Sequence, residues 1–162
     1  MLTTQKIVPC LWFNGDAEEA AEFYVSLLPD SHIDRVLKSP ADTPSVPAGT
    51  VLTVEFTLTG LQYVGLNGGS QFPFTEAVSF QIHCDDQPEV DRLWAALAGG
   101  GAEIACGWVK DRWGLPWQIV PKRLIELIND PDTGRARRAQ EAMMQMVKID
   151  ITTIERAADS IS

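Results

Sequence analysis

A short pattern occurs twice in this chain and limits the fold more than any other feature. Asp16 followed by Glu19, and Asp86 followed by Glu89, each have the spacing of a helix capping box. The two boxes are offset by 70 residues, and at that offset Tyr24 falls on Trp94 and Leu27 on Leu97. Each box follows a short apolar run that reads as a strand, Ile7 to Phe13 in the first case and Val78 to Cys84 in the second. The first box opens a helix with Ala17, Ala20, Ala21, Tyr24, Leu27 and Leu28 on one face, ended by Pro29. His32 to Lys38, Val51 to Leu58 and Leu61 to Asn67 then read as strands, the last two joined by a Thr59-Gly60 turn. The second box has Pro88 in its first turn, a buried face of Val90, Leu93, Trp94 and Leu97, and a stop at Gly99-Gly100-Gly101. Ala102 to Trp108 and Leu115 to Val120 follow as shorter strands in the same order. The chain is therefore expected to be a duplicated β-α-β-β-β unit.

This predicts an α+β fold, a curved mixed sheet with helices on its outer face, plus a C-terminal helical tail. The first unit is expected at residues 1–74, the second at 75–121 and the tail at 122–162, all within one structural domain. In the tail, Lys122 to Ile128 makes a short helix and Asp132 begins another, with Ala136, Ala139, Met143 and Met146 on one stripe. Asp150 begins a last turn or two. Ser39 to Gly49 holds three prolines and no periodicity, so it reads as a loop.

Three of the five tryptophans crowd into Trp108–Trp117. So much indole fills a core or lines an apolar pocket. Asp111-Arg112-Trp113-Gly114 reads as a tight turn in which Gly114 supplies a positive φ. Alternation sends Trp117 to the face opposite Gln118, beneath a helix.

A net charge of −9 and a pI near 4.6 offer no basic footprint for nucleic acid. Arg135, Arg137 and Arg138 read as a solvated helix face. No apolar run approaches a membrane span, and Met1 to Lys6 lacks the charged and apolar regions of a signal peptide. Cys10, Cys84 and Cys106 share no C-x-x-C spacing and lie in apolar runs, which points to reduced, buried thiols and a cytoplasmic location.

Several stretches resemble the PhnB-like branch of the vicinal-oxygen-chelate superfamily, the glyoxalase, bleomycin-resistance and dioxygenase proteins. They are Leu11-Trp-Phe-Asn-Gly-Asp-Ala-Glu-Glu-Ala20-Ala-Glu-Phe-Tyr24, Val90-Asp-Arg-Leu-Trp94, Gly107 to Pro121, and Ala142 to Asp150. Members of this branch often carry the name 3-demethylubiquinone-9 3-methyltransferase. The resemblance implies doubled β-α-β-β-β units and, in enzymes of the superfamily, a divalent metal held by one residue from each of four strands. Carried over, those positions fall on Pro9, on Gly65 or Asn67, on Ser79 and on Gln118. Neutral hydroxyl and amide oxygens are poor replacements for the imidazole and carboxylate ligands such metals prefer. No metal and no cofactor are expected.

The polar groups expected on one concave face are Asn67, Ser79, Gln81 and Gln118, with Trp113, and Trp108 as a further candidate, as aromatic walls. His83 shares a face with Ser79 and Gln81 but sits about 13 Å further along than Ser79, at roughly 3.3 Å per residue. His32 reads as structural. Glu55, the carboxylate in an apolar run, lies opposite Gly65 and Asn67 if Thr59-Gly60 is a two-residue loop, and a one-residue slip reverses this. The expected function is binding of a small-molecule ligand by a homodimer, without nucleic-acid or membrane partners. The alternatives are an enzyme, either a methyltransferase or a metal-dependent lyase or dioxygenase with altered ligands, and an interaction module built on the tail. Gly65-Leu-Asn-Gly68-Gly69 is glycine-rich, as a turn for an adenosyl donor would be, but Phe72-Pro73-Phe74 and a strand follow it where a helix is needed.

Overall fold

Alternating β-branched and aromatic residues with two-residue periodicity give four strands in the first half of the computed structural model, which describes residues 4–160. Met1 to Thr3, part of the stretch weighed for a signal peptide, lie outside the described residues, as do Ile161 and Ser162 of the expected tail. The order is β1 (Cys10–Phe13), α1 (Ala17–Leu27), β2 (His32–Lys38), β3 (Val51–Leu58) and β4 (Leu61–Asn67). The sheet runs β1-β4-β3-β2, with β1 and β4 parallel and the other pairs antiparallel. The second half repeats this with β5 (Phe80–Cys84), α2 (Gln87–Ala98), β6 (Ala102–Glu103), β7 (Trp108–Lys110) and β8 (Pro116–Pro121). Its order is β5-β8-β7-β6, again with only the first pair parallel. The duplication is thus present strand for strand. The chain divides into two compact units between Phe74 and Thr75, and the tail belongs to the second.

Local chemistry explains most boundaries. Thr59 and Gly60 both have positive φ, 48° and 87°, which gives a hairpin turn whose twist suits the flanking strands. The turn fixes the register, so Phe56 pairs with Tyr63 and the two rings stack at 5.6 Å. The expected strand from Ala102 to Trp108 is broken in two. Cys106 and Gly107 both take positive φ there, and their N–H groups donate to Met146 and Val147 in the tail. The expected first strand, Ile7 to Phe13, is shorter by three residues, and Ile7 is exposed.

The two capping boxes fare differently. Asp86 caps α2 by accepting from the Glu89 N–H at 3.0 Å, and Glu89 reaches back to the Asp85 N–H. Asp16 makes no side-chain cap on α1. The Ala17 N–H is instead taken by the side-chain oxygen of Asn67, at the end of β4.

In the first unit, Ala17, Ala20, Ala21, Tyr24 and Leu27 of α1 bury against the sheet, where Leu11, Phe13, Val54 and Phe56 are also buried. In the second, Val90, Leu93, Trp94 and Leu97 of α2 meet a sheet whose buried residues include Cys84, Val109, Trp117 and Ile119. The tail forms α3 (Lys122–Ile128), α4 (Thr133–Met143) and α5 (Ile151–Asp159). These make a small core of Leu124, Leu127, Ala139, Ile149, Ile154 and Ala158, with Met143 and Met146 packed on it. Arg135 and Arg138, expected on a solvated face, tie α4 to α5 through Asp159 and the Ala158 carbonyl.

Candidate functional site

On β5 and β8 the pleat separates two sets of side chains. Phe80, Ile82 and Cys84 alternate with Ser79, Gln81 and His83, and Trp117 and Ile119 alternate with Gln118. The first members are the α2-facing core. The second members lie on the opposite face, and parallel pairing sets Gln81 beside Gln118.

There the side chains join into one line of hydrogen bonds. His83 Nε2 lies 3.1 Å from Gln81 Oε1, Gln81 Nε2 donates to Gln118 Oε1 at 3.2 Å, and Gln118 Nε2 donates to Ser79 Oγ at 2.8 Å. Trp108 is paired directly with Gln118 across the antiparallel β7–β8 ladder, so its indole stands on the same face. Lys110, further along β7, is bound to Glu76 at 2.6 Å, and that bond holds the Glu76 carboxyl below its ordinary range. Ser79, Gln81 and Gln118 thus share one face of the second sheet, with His83 at the end of the line.

Trp113 lies in the β7–β8 turn, half-buried, with the Arg112 guanidinium 5.2 Å from its ring centre. The turn is built on Asp111, whose carboxylate is buried at 2% exposure. It accepts from the Trp113 and Leu115 N–H groups at 2.9 and 3.0 Å and from the Trp117 indole at 2.9 Å. Gly114 has the positive φ expected of it, 86°. Trp117 is core, edge-on to Phe80.

Asn67 departs from the expectation. It lies on the side of the first sheet that meets α1, where its amide oxygen holds Ala17 and its nitrogen donates to Val51 O at 3.0 Å. A Cβ on Gly65, which shares that side, would stand 3.3 Å from the Ala17 Cβ. Alternation correctly ties Gly65 to Asn67 and sets Glu55 on the other side, but the side carrying Asn67 is the helix side. Asn67 is therefore grouped with the core, and Glu55 with the face turned away from α1. Glu55 does not stand alone there: Arg35 grips it through two bonds, of 2.6 and 3.0 Å.

Sequence reasoning passed over Trp12. It alternates with the buried Leu11 and Phe13, donates its indole N–H to Gly69 O at 2.8 Å and meets Phe72 edge-on. A Cβ on Gly68 would lie 2.3 Å from its ring, so Gly68 is required for this contact. Trp12 standing between two core positions, with a glycine pair after β4, was the available signal.

The four positions that the family resemblance offers to a metal do not suit one. Pro9 and Gly65 have no donor, the amide of Asn67 is committed to α1 and Val51, and Ser79 and Gln118 offer neutral oxygen and nitrogen already bonded to each other. Among the described residues, no group of three or more His, Cys, Asp or Glu side chains is placed to hold a metal ion.

Doubled β-α-β-β-β units of this order, each with its first and last strands parallel, define the vicinal-oxygen-chelate fold in its PhnB-like form. The chain belongs to the 3-demethylubiquinone-9 3-methyltransferase family, whose model matches residues 5–120. The PhnB protein from Bacillus cereus, which carries the same family name, is 32% identical with a TM-score of 0.66, covering 72% of this chain and 99% of that one. Protein PA1353 from Pseudomonas aeruginosa, 22% identical, has a TM-score of 0.60 over 73% of this chain and 98% of its own. No curated protein matches. No helix among the described residues is long and apolar enough to cross a membrane.

Proposed function

We propose that this protein binds a small molecule on the face of the second sheet turned away from α2, using neutral hydrogen-bonding groups and no metal. The observation that carries this reading is the continuous line Ser79–Gln118–Gln81–His83, in which four polar side chains share one face beside Trp108. Aligned amides with an aromatic flank can orient an otherwise apolar ligand. Trp113, held at its backbone by Asp111, is a second aromatic wall in this proposal. A fragment screen read by amide NMR on the full chain tests it. Shifts should cluster on Ser79, Gln81, Gln118, Trp108 and Trp113, and fragments that bind only elsewhere contradict the reading.

The family name suggests methyl transfer, but the residues supply no adenosyl-donor site. Gly68, in the glycine-rich turn, is occupied by the Trp12 ring, and β5, not a helix, is the next element. Calorimetric titration with S-adenosylmethionine should give no saturable heat. Binding tighter than about 100 μM would favour the methyltransferase reading.

The proposal includes a two-fold homodimer in the cytoplasm. β2 is an open edge strand on which Val36 and Leu37 are exposed to either side, an edge suited to self-association, and the three free cysteines suit a reducing compartment. Sedimentation at tens of micromolar should give twice the chain mass, and a monomer there removes the dimer.

A further inference from the structure

The line on the second sheet has a chemical polarity that narrows its ligand, an inference that rests on the binding reading above. An amide oxygen only accepts, so His83 Nε2 donates to Gln81, Gln81 donates to Gln118, and Gln118 donates to Ser79. Each amide NH2 carries two hydrogens and spends one within the line. The second N–H of Gln81 and of Gln118 has no partner among the described residues, and neither has the hydroxyl hydrogen of Ser79. Turning both amides over would reverse the line and spend the Ser79 hydrogen on Gln118, but would still leave one N–H on each amide.

Trp108 adds another donor. Its indole N–H has no partner among the described residues and is not sealed in the core, so solvent or a ligand can reach it. The cation on this face, Lys110, is neutralised by Glu76. Among the described residues the face therefore offers several N–H and O–H donors that have no partner, oxygens on Gln81, Gln118 and Ser79 that each already accept one bond, and no uncompensated charge.

We propose that Ser79, Gln81, Gln118 and Trp108 form a donor surface for the acceptor oxygens of a flat, uncharged ligand whose ring packs against Trp108. A ligand rich in donors leaves the amide hydrogens without partners and forgoes their bonds. An anion finds no free cation here to replace its hydration.

Three probes of similar shape separate the possibilities on the 15N-labelled full chain. Chromone is flat with two acceptor oxygens, indole has one N–H donor and no oxygen, and naphthalene has no polar atom. Chromone should shift the side-chain amide signals of Gln81 and Gln118 and the Trp108 indole signal saturably. It should bind about tenfold more tightly than the other two, the ratio expected from one net hydrogen bond. Gln118→Leu should bring chromone down to the level of naphthalene. Gln118→Glu, which places an acceptor where the donor was, should turn the preference toward indole, a reversal that mere loss of structure does not produce.

Equal affinity for chromone and indole, or a chromone preference unchanged in both variants, would overturn the donor assignment while leaving the site in place. No saturable shift on this face with any probe would overturn the binding reading as well.

Discussion

The two units share one strand order and differ in what holds it. In the first unit the β3–β4 hairpin closes on two residues, Thr59 and Gly60, whose own backbone conformation makes the turn. In the second, the corresponding β7–β8 connection spans residues 111–115 and is organised by a buried carboxylate, Asp111, with three N–H donors around it. The helix starts show the reverse. α2 is capped locally by Asp86, whereas α1 is capped across the fold by Asn67 from β4. At the register position equivalent to Asn67 the second unit has Pro121, which has no such side chain. One topology can thus be closed by local geometry at one end and a tertiary hydrogen bond at the other, and the choice differs between the copies.

The largest expected effect comes from Asp111. Asp111→Ala strands two backbone N–H groups and the Trp117 indole, and should cost about 3 kcal/mol in urea unfolding. Asp111→Asn keeps an oxygen for the backbone donors but turns an N–H toward the indole or the backbone, and should cost roughly half as much. A loss below about 1 kcal/mol for the alanine variant would mean the loop closes without its carboxylate.

Next is the pair of caps. Asn67→Ala should cost about 2 kcal/mol, because the α1 cap and the bond to Val51 go together. Asp86→Ala should cost about 1 kcal/mol. Asp16→Ala should change stability by less than about 0.5 kcal/mol, although Asp16 and Asp86 begin the same motif. Equal losses at Asp16 and Asp86 would erase the contrast between the units.

That contrast shows what could be read beforehand. The succession of strands and helices along the chain, a turn at Thr59-Gly60, the positive φ at Gly114 and the core position of Trp117 follow from local pattern, and local pattern is what a sequence displays; the length of that turn, and with it the facing of Glu55, stayed open. The capping of α1 does not. Asp16 lies three residues after the last residue of β1, whereas Asp86 lies two after the last of β5, and so small an offset separates a spacing from a bond. Asn67 was misplaced for a related reason: alternation fixes which residues share a face, but packing decides which face meets the helix. The line through His83, Gln81, Gln118 and Ser79 was legible as far as its facing, while its hydrogen bonds depended on the β5–β8 register.

A smaller effect is expected with pH. Glu76, Asp91, Asp130 and Asp150, all in the second unit, have carboxyl pKa values lowered by their bonds. The first partners are Lys110 for Glu76, Lys148 for Asp91, the Asp132 backbone for Asp130 and the Thr153 hydroxyl for Asp150. A lowered folded-state value gives stability that is present above the unfolded carboxyl pKa, about 4, and fades as pH falls through the folded value. Protection factors against hydrogen exchange, with the intrinsic pH dependence of the amides divided out, should therefore fall below pH 4 in residues 75–160 through loss of these bonds. Glu76, Asp91 and Asp150 are exposed and Asp130 is half-buried, so salt should weaken the effect. A loss of protection confined to residues 4–74 would contradict it.

The central claim is the proposal that the second sheet carries a neutral hydrogen-bonding site that holds no metal. Elemental analysis of protein purified without chelator or added metal, alongside Ser79→His/Gln118→Glu, tests it most directly. The account predicts far less than one divalent ion per wild-type chain, and measurable Zn²⁺ or Ni²⁺ affinity once imidazole and carboxylate stand on that face. About one tightly held ion per wild-type chain, lost in Ser79→Ala or Gln118→Ala, would contradict it.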